Sequence, residues 1–169
     1  FLYNAMIYPL LPYTAQGVMW YQGESNINKH EYYHTLFSNL IVSWRERAQA
    51  PELPFLFVQI SAYLPPSELF VPNTGMAVSI DVGSADDLHP KQKRQVGERL
   101  WRQAASKVYG HSMVASGPDF VGLSAKQGKI ALEFNNAEGL TTTDNTPLKG
   151  FIIAGADKVF RTAIAHIEG

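Results

Sequence analysis

The sequence predicts an α/β domain built on a parallel sheet, followed by a smaller β-rich unit. Three observations predict it. The short, continuously apolar runs 18–21 and 55–58 have the character of strands buried on both faces, as parallel strands are. Two longer stretches place apolar residues at three- and four-residue steps, the spacing that gives a helix one apolar face. After Gly110 no such stripe recurs, and short β-type runs alternate with turn-forming Asn, Asp and Gly. Strand, helix, strand, strand, helix, in that order, is the grammar of an α/β sheet.

Taken in order, residues 1–13 mix apolar residues with Pro9 and Pro12 and are expected to form a short helix or turn. The first strand is expected at 17–22. It gives way abruptly to the polar corner Gln22-Gly23-Glu24-Ser25-Asn26. Asn28 and Glu31 have the spacing of a capping box, in which side chains satisfy the free N–H groups of a helix start. The helix then runs to about Arg47, with Tyr33, Phe37, Leu40, Ile41 and Trp44 as its apolar stripe and Arg45, Glu46 and Arg47 at its wet end. The loop 51–54 leads to a second buried strand, 55–60, and the Pro-rich stretch 61–75 reads as loop. A third strand is expected at 76–82, ending at Gly83. The cluster 84–90 precedes a second helix from about Lys91 to Val108, with Val96, Leu100, Ala104 and Val108 in register and Trp101 and Ala105 alongside. Gly110 stands where a left-handed residue closes a helix. Beyond a boundary at 111–118, the runs 130–134 and 150–154 read as strands, separated or followed by Asn135-Asn136, Asp144-Asn145 and Gly155-Ala156-Asp157. The expected organisation is thus 1–110 and 111–169.

With 169 residues, 46% hydrophobic and 17% charged, the chain has the composition of a globular protein with a real core. A formal net charge of -1 gives no electrostatic basis for binding nucleic acid or an anionic membrane. The lack of cysteine excludes disulfides and cysteine metal sites while leaving the compartment open. No apolar run is long enough to span a bilayer. The chain opens on Phe1 in interior-like sequence and ends within a strand-like pattern, so a fragment of a longer protein is expected.

Two clusters carry chemistry. In the first, Gln22, Glu24, Ser25 and Asn26 gather hydrogen-bonding side chains at a strand end, where ligands of α/β sheets bind. Gly23 allows close backbone approach, and donors placed there can stabilise an oxyanion. The plain alternative is a polar turn feeding the helix. In the second cluster, His89 follows a loop and precedes a helix, with Asp87 and Asp86 just before it. A carboxylate can orient a histidine and stabilise its imidazolium, which makes it a general base. The alternative is that Asp87 caps the helix and His89 is a surface residue. Ser25 as a nucleophile is disfavoured, because its surroundings are not a Gly-x-Ser-x-Gly elbow. His30 and His34, four apart on one helical face, lack a third metal ligand at suitable spacing. Lys91, Lys93 and Arg94 read as a solvated first turn rather than a phosphate site.

With these residues in view, the chain resembles the sialate O-acetylesterase family of SGNH-type hydrolases. The resemblance rests on LYNAMIYPL at 2–10, GVMWYQGESN at 17–26, LFSNLIVSWR at 36–45, PFLFVQI at 54–60, NTGMAVSIDVG at 73–83, DLHPKQKRQVGERL at 87–100 and GFIIAGADKVF at 150–160. It implies a three-layer α/β/α fold, with 1–110 its C-terminal part and 111–169 part of a β-rich accessory region. It also implies hydrolysis of O-acetyl esters on sialic acid or acetylated polysaccharide through an acyl-serine, with no cofactor. His89 would be the base, oriented by Asp87 or, alternatively, Asp86; residues 22–26 would contribute to the oxyanion hole and pocket. The family's nucleophile lies in a Gly-Gln-Ser-Asn-type block upstream of the LYNAMI segment, outside this sequence. An Arg-Glu-Ala-Gln helix usual between the second and third strands is also absent. By resemblance the location is periplasmic, extracellular or lysosomal; the oligomeric state is open. A non-catalytic carbohydrate-binding or scaffold fragment of such a protein is the alternative.

Overall fold

The computed structural model describes residues 2–59, 71–83, 91–142 and 144–168, and for 27–30 the backbone alone. Contacts divide the chain into two units, 1–116 and 117–169.

The first unit opens with a π-helical turn, Tyr3–Ile7, and a 3-10 turn, Tyr8–Leu10. Then come β1 (Val18–Trp20), a 3-10 helix (Glu24–Lys29), α1 (His30–Arg47), β2 (Phe55–Val58), β3 (Thr74–Ala77) and α2 (Lys93–Lys107). The three strands form a parallel sheet in the order β1-β2-β3, with Val18 beside Phe55 and Phe55 beside Thr74.

Successive residues of β2 point to opposite faces, and both faces are covered. Phe55 joins Phe37 and Ile41 of α1 in one cluster, with Trp20, Tyr33, Leu40, Trp44 and Phe57 packed on it. Leu56 and Val58 join Ala77 and Val82 with Val96, Leu100 and Ala104 of α2 in the other. Helix, sheet and helix thus make three layers, and the expected α/β class is the observed one. Each fully buried side chain of this size contributes roughly 1.5–3 kcal/mol. Among the described residues these two clusters hold the core.

Several expectations need correction. β1 is not buried on both faces: Met19 is exposed, because α2 packs on β2 and β3 and leaves that side of β1 open. β3 lies two residues earlier than 76–82 and is shorter, since Thr74–Ala77 is the stretch that pairs with β2. Beyond it the chain turns, with the Val82 N–H bonded to Ser79 O, and the apolar Ile80 is exposed. Helical backbone begins earlier than the Asn28–Glu31 spacing implies, as a 3-10 turn from Glu24; the Asn28 side chain lies outside what the structure describes. Trp101 lies outside the core, against Tyr109 and His111.

Arg45 is the largest departure. Expected in water, it is 7% exposed. Its Nε donates to Leu53 O at 2.9 Å, and its Nη2 to Pro72 O at 2.8 Å and Asn73 O at 3.2 Å. The guanidinium also lies 5.8 Å from the Phe55 ring centre. It ties α1 to the segments leading into β2 and β3.

The second helix ends as its glycine predicts. Gly110 has φ +68°, and the His111 N–H reaches back to Ala105 O at 2.9 Å. This left-handed closure satisfies carbonyls that the helix leaves free.

The second unit contains a hairpin of β4 (Asp119–Lys126) and β5 (Lys129–Asn135). Gln127 and Gly128, at φ 52° and 73°, make the two-residue turn that suits the strands' twist. Val121 is an extra residue at a register shift between Phe120 and Gly122. Two short strands, β6 (Ile152–Ile153) and β7 (Arg161–Thr162), pair antiparallel.

Candidate active site

The carboxyl ends of all three strands lie at the same edge of the sheet, and the polar corner begins there. Trp20 is the last residue of β1. Tyr21 and Gln22 follow, and at Gly23 the backbone takes φ 144°, a conformation that glycine reaches without the clash of a Cβ. Gly23 is buried, and its carbonyl accepts from the Asn26 N–H at 2.8 Å, opening the 3-10 helix.

One tyrosine of α1 fastens this corner. The Trp20 indole Nε1 donates to the Tyr33 hydroxyl at 3.2 Å. That hydroxyl lies 2.8 Å from Gln22 O and 3.1 Å from Gln22 Oε1, and its single proton is shared between them. Gln22 Nε2 in turn donates to Asn26 Oδ1 at 2.8 Å. Burial pushes the Tyr33 phenol above its ordinary pKa; the bond from Trp20 opposes this, and the Glu24 carboxylate adds a smaller upward push. Tyr33 is therefore a neutral donor at physiological pH.

The sequence-predicted residues fall into three groups. Gln22, Gly23 and Asn26 come together through bonds between them. Glu24, half-buried, and Ser25, exposed, sit on the first turn of the 3-10 helix. His89, Asp87 and Asp86 lie outside the described residues, which stop at Gly83 and resume at Lys91.

The flanks of that segment are anchored. Arg99 of α2 grips the end of β3, donating to Val78 O at 2.8 Å and to the Asp81 carboxylate at 2.5 and 2.6 Å. These bonds hold Asp81 below the usual carboxylate pKa and raise that of Arg99. Lys93 does not simply face solvent: its Nζ donates to the Tyr21 hydroxyl at 2.9 Å, with the ring centre 4.3 Å away. Arg94 pairs with Glu98 at 2.7 Å on the same helix. At the end of β2, Ser79 Oγ donates to Gln59 O, and Gln59 Oε1 is buried with no partner among the described residues.

Among the described residues, no group of three His, Asp or Glu side chains is arranged to hold a metal ion. Among the described residues, no helix is long and apolar enough to cross a membrane. Tyr33 is the residue of this corner that sequence reading missed. It was legible only as a member of the apolar stripe, although the tyrosine that begins such a stripe carries a hydroxyl that needs a partner when buried.

Residues 1–106 match the family model described as carbohydrate esterase, sialic acid-specific acetylesterase. Human sialate O-acetylesterase is 32% identical over 182 residues, covering 85% of this chain and 34% of that protein. The rat sialate O-acetylesterase is 34% identical over 153 residues, covering 69% of this chain and 28% of the relative. The crystal structure of a carbohydrate acetylesterase from Xanthomonas citri superposes with a TM-score of 0.83 at 39% identity, covering 99% of this chain and 43% of that one. The chain spans about a third of the length of the curated relatives it matches. A match over more than half of its residues, with relatives above 30% identity, establishes that the chain belongs to the sialic acid-specific acetylesterase family of carbohydrate esterases.

Proposed function

We propose that this chain supplies the acid–base half of a serine carbohydrate acetylesterase acting on O-acetyl esters of sialic acid or of acetylated polysaccharide. The observation that carries the reading is the family match over residues 1–106, which includes both polar clusters. The attacking serine lies N-terminal to Phe1. Its Oγ adds to the acetyl carbonyl carbon while His89 takes its proton, and the carbonyl electron pair moves onto oxygen. Donors of the 22–26 corner receive that oxyanion, and Glu24 and Ser25 line the pocket beside them. When the intermediate collapses, the bond to the sugar oxygen breaks and His89 returns the proton to it. His89 then activates water, which releases acetate and restores the serine. Asp87, with Asp86 as the alternative, orients the imidazole and stabilises its charged form.

The test is His89→Ala in the protein that carries this chain, assayed on an activated acetate ester and on O-acetylated sugars. Turnover should fall by on the order of 10³-fold or more, as loss of a triad member does. Near-normal turnover would overturn the assignment. Sugar binding without any hydrolysis by the unsubstituted protein would instead support the binding-scaffold reading.

A further inference from the structure

We propose that Tyr33 is a positioning residue that fixes the side-chain amide of Gln22 with its N–H group facing the bound ester. This inference rests on the esterase reading above and names a residue through which that site works.

The argument is one of hydrogen-bond direction. The indole N–H of Trp20 can only donate, so the Tyr33 oxygen is its acceptor at 3.2 Å. The one hydroxyl proton of Tyr33 then has to point away from Trp20. Among the described residues, the acceptors recorded in its reach belong to Gln22, the carbonyl O at 2.8 Å and Oε1 at 3.1 Å. A side-chain amide presents oxygen on one arm and NH₂ on the other. With Oε1 on Tyr33, the NH₂ arm turns the other way, where Asn26 Oδ1 accepts at 2.8 Å. That bond uses one Nε2 proton and leaves the second for a ligand.

The chain Trp20→Tyr33→Gln22→Asn26 therefore runs in one sense, each group donating to the next, and such chains polarise and strengthen their members. An inverted amide would set NH₂ against the side of the hydroxyl that carries its proton, and oxygen against oxygen at Asn26 as that amide stands. The hydroxyl thus selects the orientation in which Gln22 is a donor, the kind of group that a developing oxyanion needs. The same hydroxyl holds Gln22 O. Because the N–H and C=O of a trans peptide point in opposite directions, this grip also sets the direction of the Gly23 N–H.

Tyr33 is anchored independently of any ligand. Its ring stacks on Phe37 with centres 5.9 Å apart, and Trp20 lies 5.6 Å from the same Phe37 ring. Removing the hydroxyl alone leaves these ring contacts in place.

The test compares Tyr33→Phe, Gln22→Ala and the double variant in the protein that carries this chain, with His89→Ala as reference. Loss of an oxyanion donor lowers kcat by on the order of 10²-fold, so Gln22→Ala should approach that. Tyr33→Phe, which frees the amide to invert without removing it, should lower kcat about 10-fold with KM nearly unchanged, one tenfold step being about 1.4 kcal/mol. The double variant should be no slower than Gln22→Ala, because Tyr33 acts through Gln22. Unchanged kcat in Tyr33→Phe, or multiplicative losses in the double variant, would overturn the inference.

Should Tyr33→Phe fail to fold, difluorotyrosine at position 33 answers the same question. Fluorination lowers the phenol pKa toward neutrality, and the ionised ring cannot donate to Gln22. A new alkaline fall in kcat, absent from the unsubstituted protein, is expected; an unaltered profile counts against the proposal. If His89→Ala is also without effect, the esterase reading itself has failed. If His89→Ala abolishes turnover while the Tyr33 variants behave normally, only this inference has.

Discussion

Replacing Arg45 by Met should destabilise the protein by about 3–4 kcal/mol, although neither its charge nor its position in the sequence suggests a core residue. Met matches the aliphatic stem, so the lost packing is small. The hydrogen bonds decide the magnitude. Three carbonyls, Leu53 O, Pro72 O and Asn73 O, lose donors at 2.9, 2.8 and 3.2 Å. Hydrogen bonds to a charged group contribute roughly 1.5–3 kcal/mol each, and three would sum to about 4.5–9. Two circumstances lower the figure. The 3.2 Å bond shares its nitrogen with the 2.8 Å one. A surface hollow lined by Val42, Arg45, Glu46, Gln49 and Pro51 also lets water reach the site. Urea unfolding monitored by tryptophan fluorescence is the assay, since Trp44 packs against Phe55, the ring that the Arg45 guanidinium also faces. Arg45→Lys should recover little of the loss, because one ammonium cannot span three carbonyls set for a fork. A loss below about 1 kcal/mol for Arg45→Met would refute the reasoning and show that the desolvation of this buried cation offsets its hydrogen bonds.

Gly75→Ala should cost about 2 kcal/mol, in the range of overpacked cores: a Cβ there would stand 2.6 Å from Gln103 Oε1 and 3.0 Å from Leu56 Cδ2. Gln103 is buried and holds Met76 O at 3.0 Å, so it cannot simply swing away; a thermal melt unchanged from the parent would contradict this. The Asp81–Arg99 pair should matter only above acid pH. Because the folded state depresses the Asp81 pKa, its contribution is present above the ordinary carboxylate range and is lost as pH falls through the folded value. With the Asp81 side chain 58% exposed, Asp81→Asn should cost under about 1 kcal/mol at pH 7 and progressively less as the pH falls below the ordinary carboxylate range, by denaturant titration across that range. Phe37→Leu should lower kcat as well as stability, since both Tyr33 and Trp20 rest on that ring. Ile41→Val, in the same cluster but outside the hydrogen-bonded chain, should cost about 0.5–1.5 kcal/mol and leave kcat intact; equal effects of the two on kcat would argue against the contrast.

What could be read from the sequence follows from what periodicity measures. The stripe Tyr33, Phe37, Leu40, Ile41 and Trp44 and the steps Val96, Leu100 and Ala104 located both helices, because burying one face of a helix is a repeating constraint. The run at 55–58 announced a strand covered on both sides, and the two clusters around it are that covering. Apolarity misled where burial does not repeat. Ile80 is apolar and exposed, so the third strand was drawn too late. β4 was missed because Asp119–Lys126 has a bulge at Val121, which breaks the alternation a strand would show. The Gln127-Gly128 turn was the surviving signal.

The polar side of the site was harder to read for a different reason. Hydrogen bonds depend on where a chain folds back, and spacing along the sequence does not encode that. Arg45 meets carbonyls up to 28 residues away, and Lys93 meets a hydroxyl 72 residues away. Neither partner can be inferred from the neighbours of either residue. The corner at 22–26 was recognisable as polar, but the hydroxyl that orders it comes from α1. Tyr33 is counted with the apolar stripe and does belong to it; its ring is held by Phe37. Its hydroxyl, one bond beyond that ring, reaches Gln22. The packing that stabilises the first helical layer and the hydrogen bond that orders the corner therefore share a single side chain. A preorganised donor has to be held by something that does not relax when charge develops, and a residue stacked in the aromatic cluster is better suited to hold it than another residue of the turn.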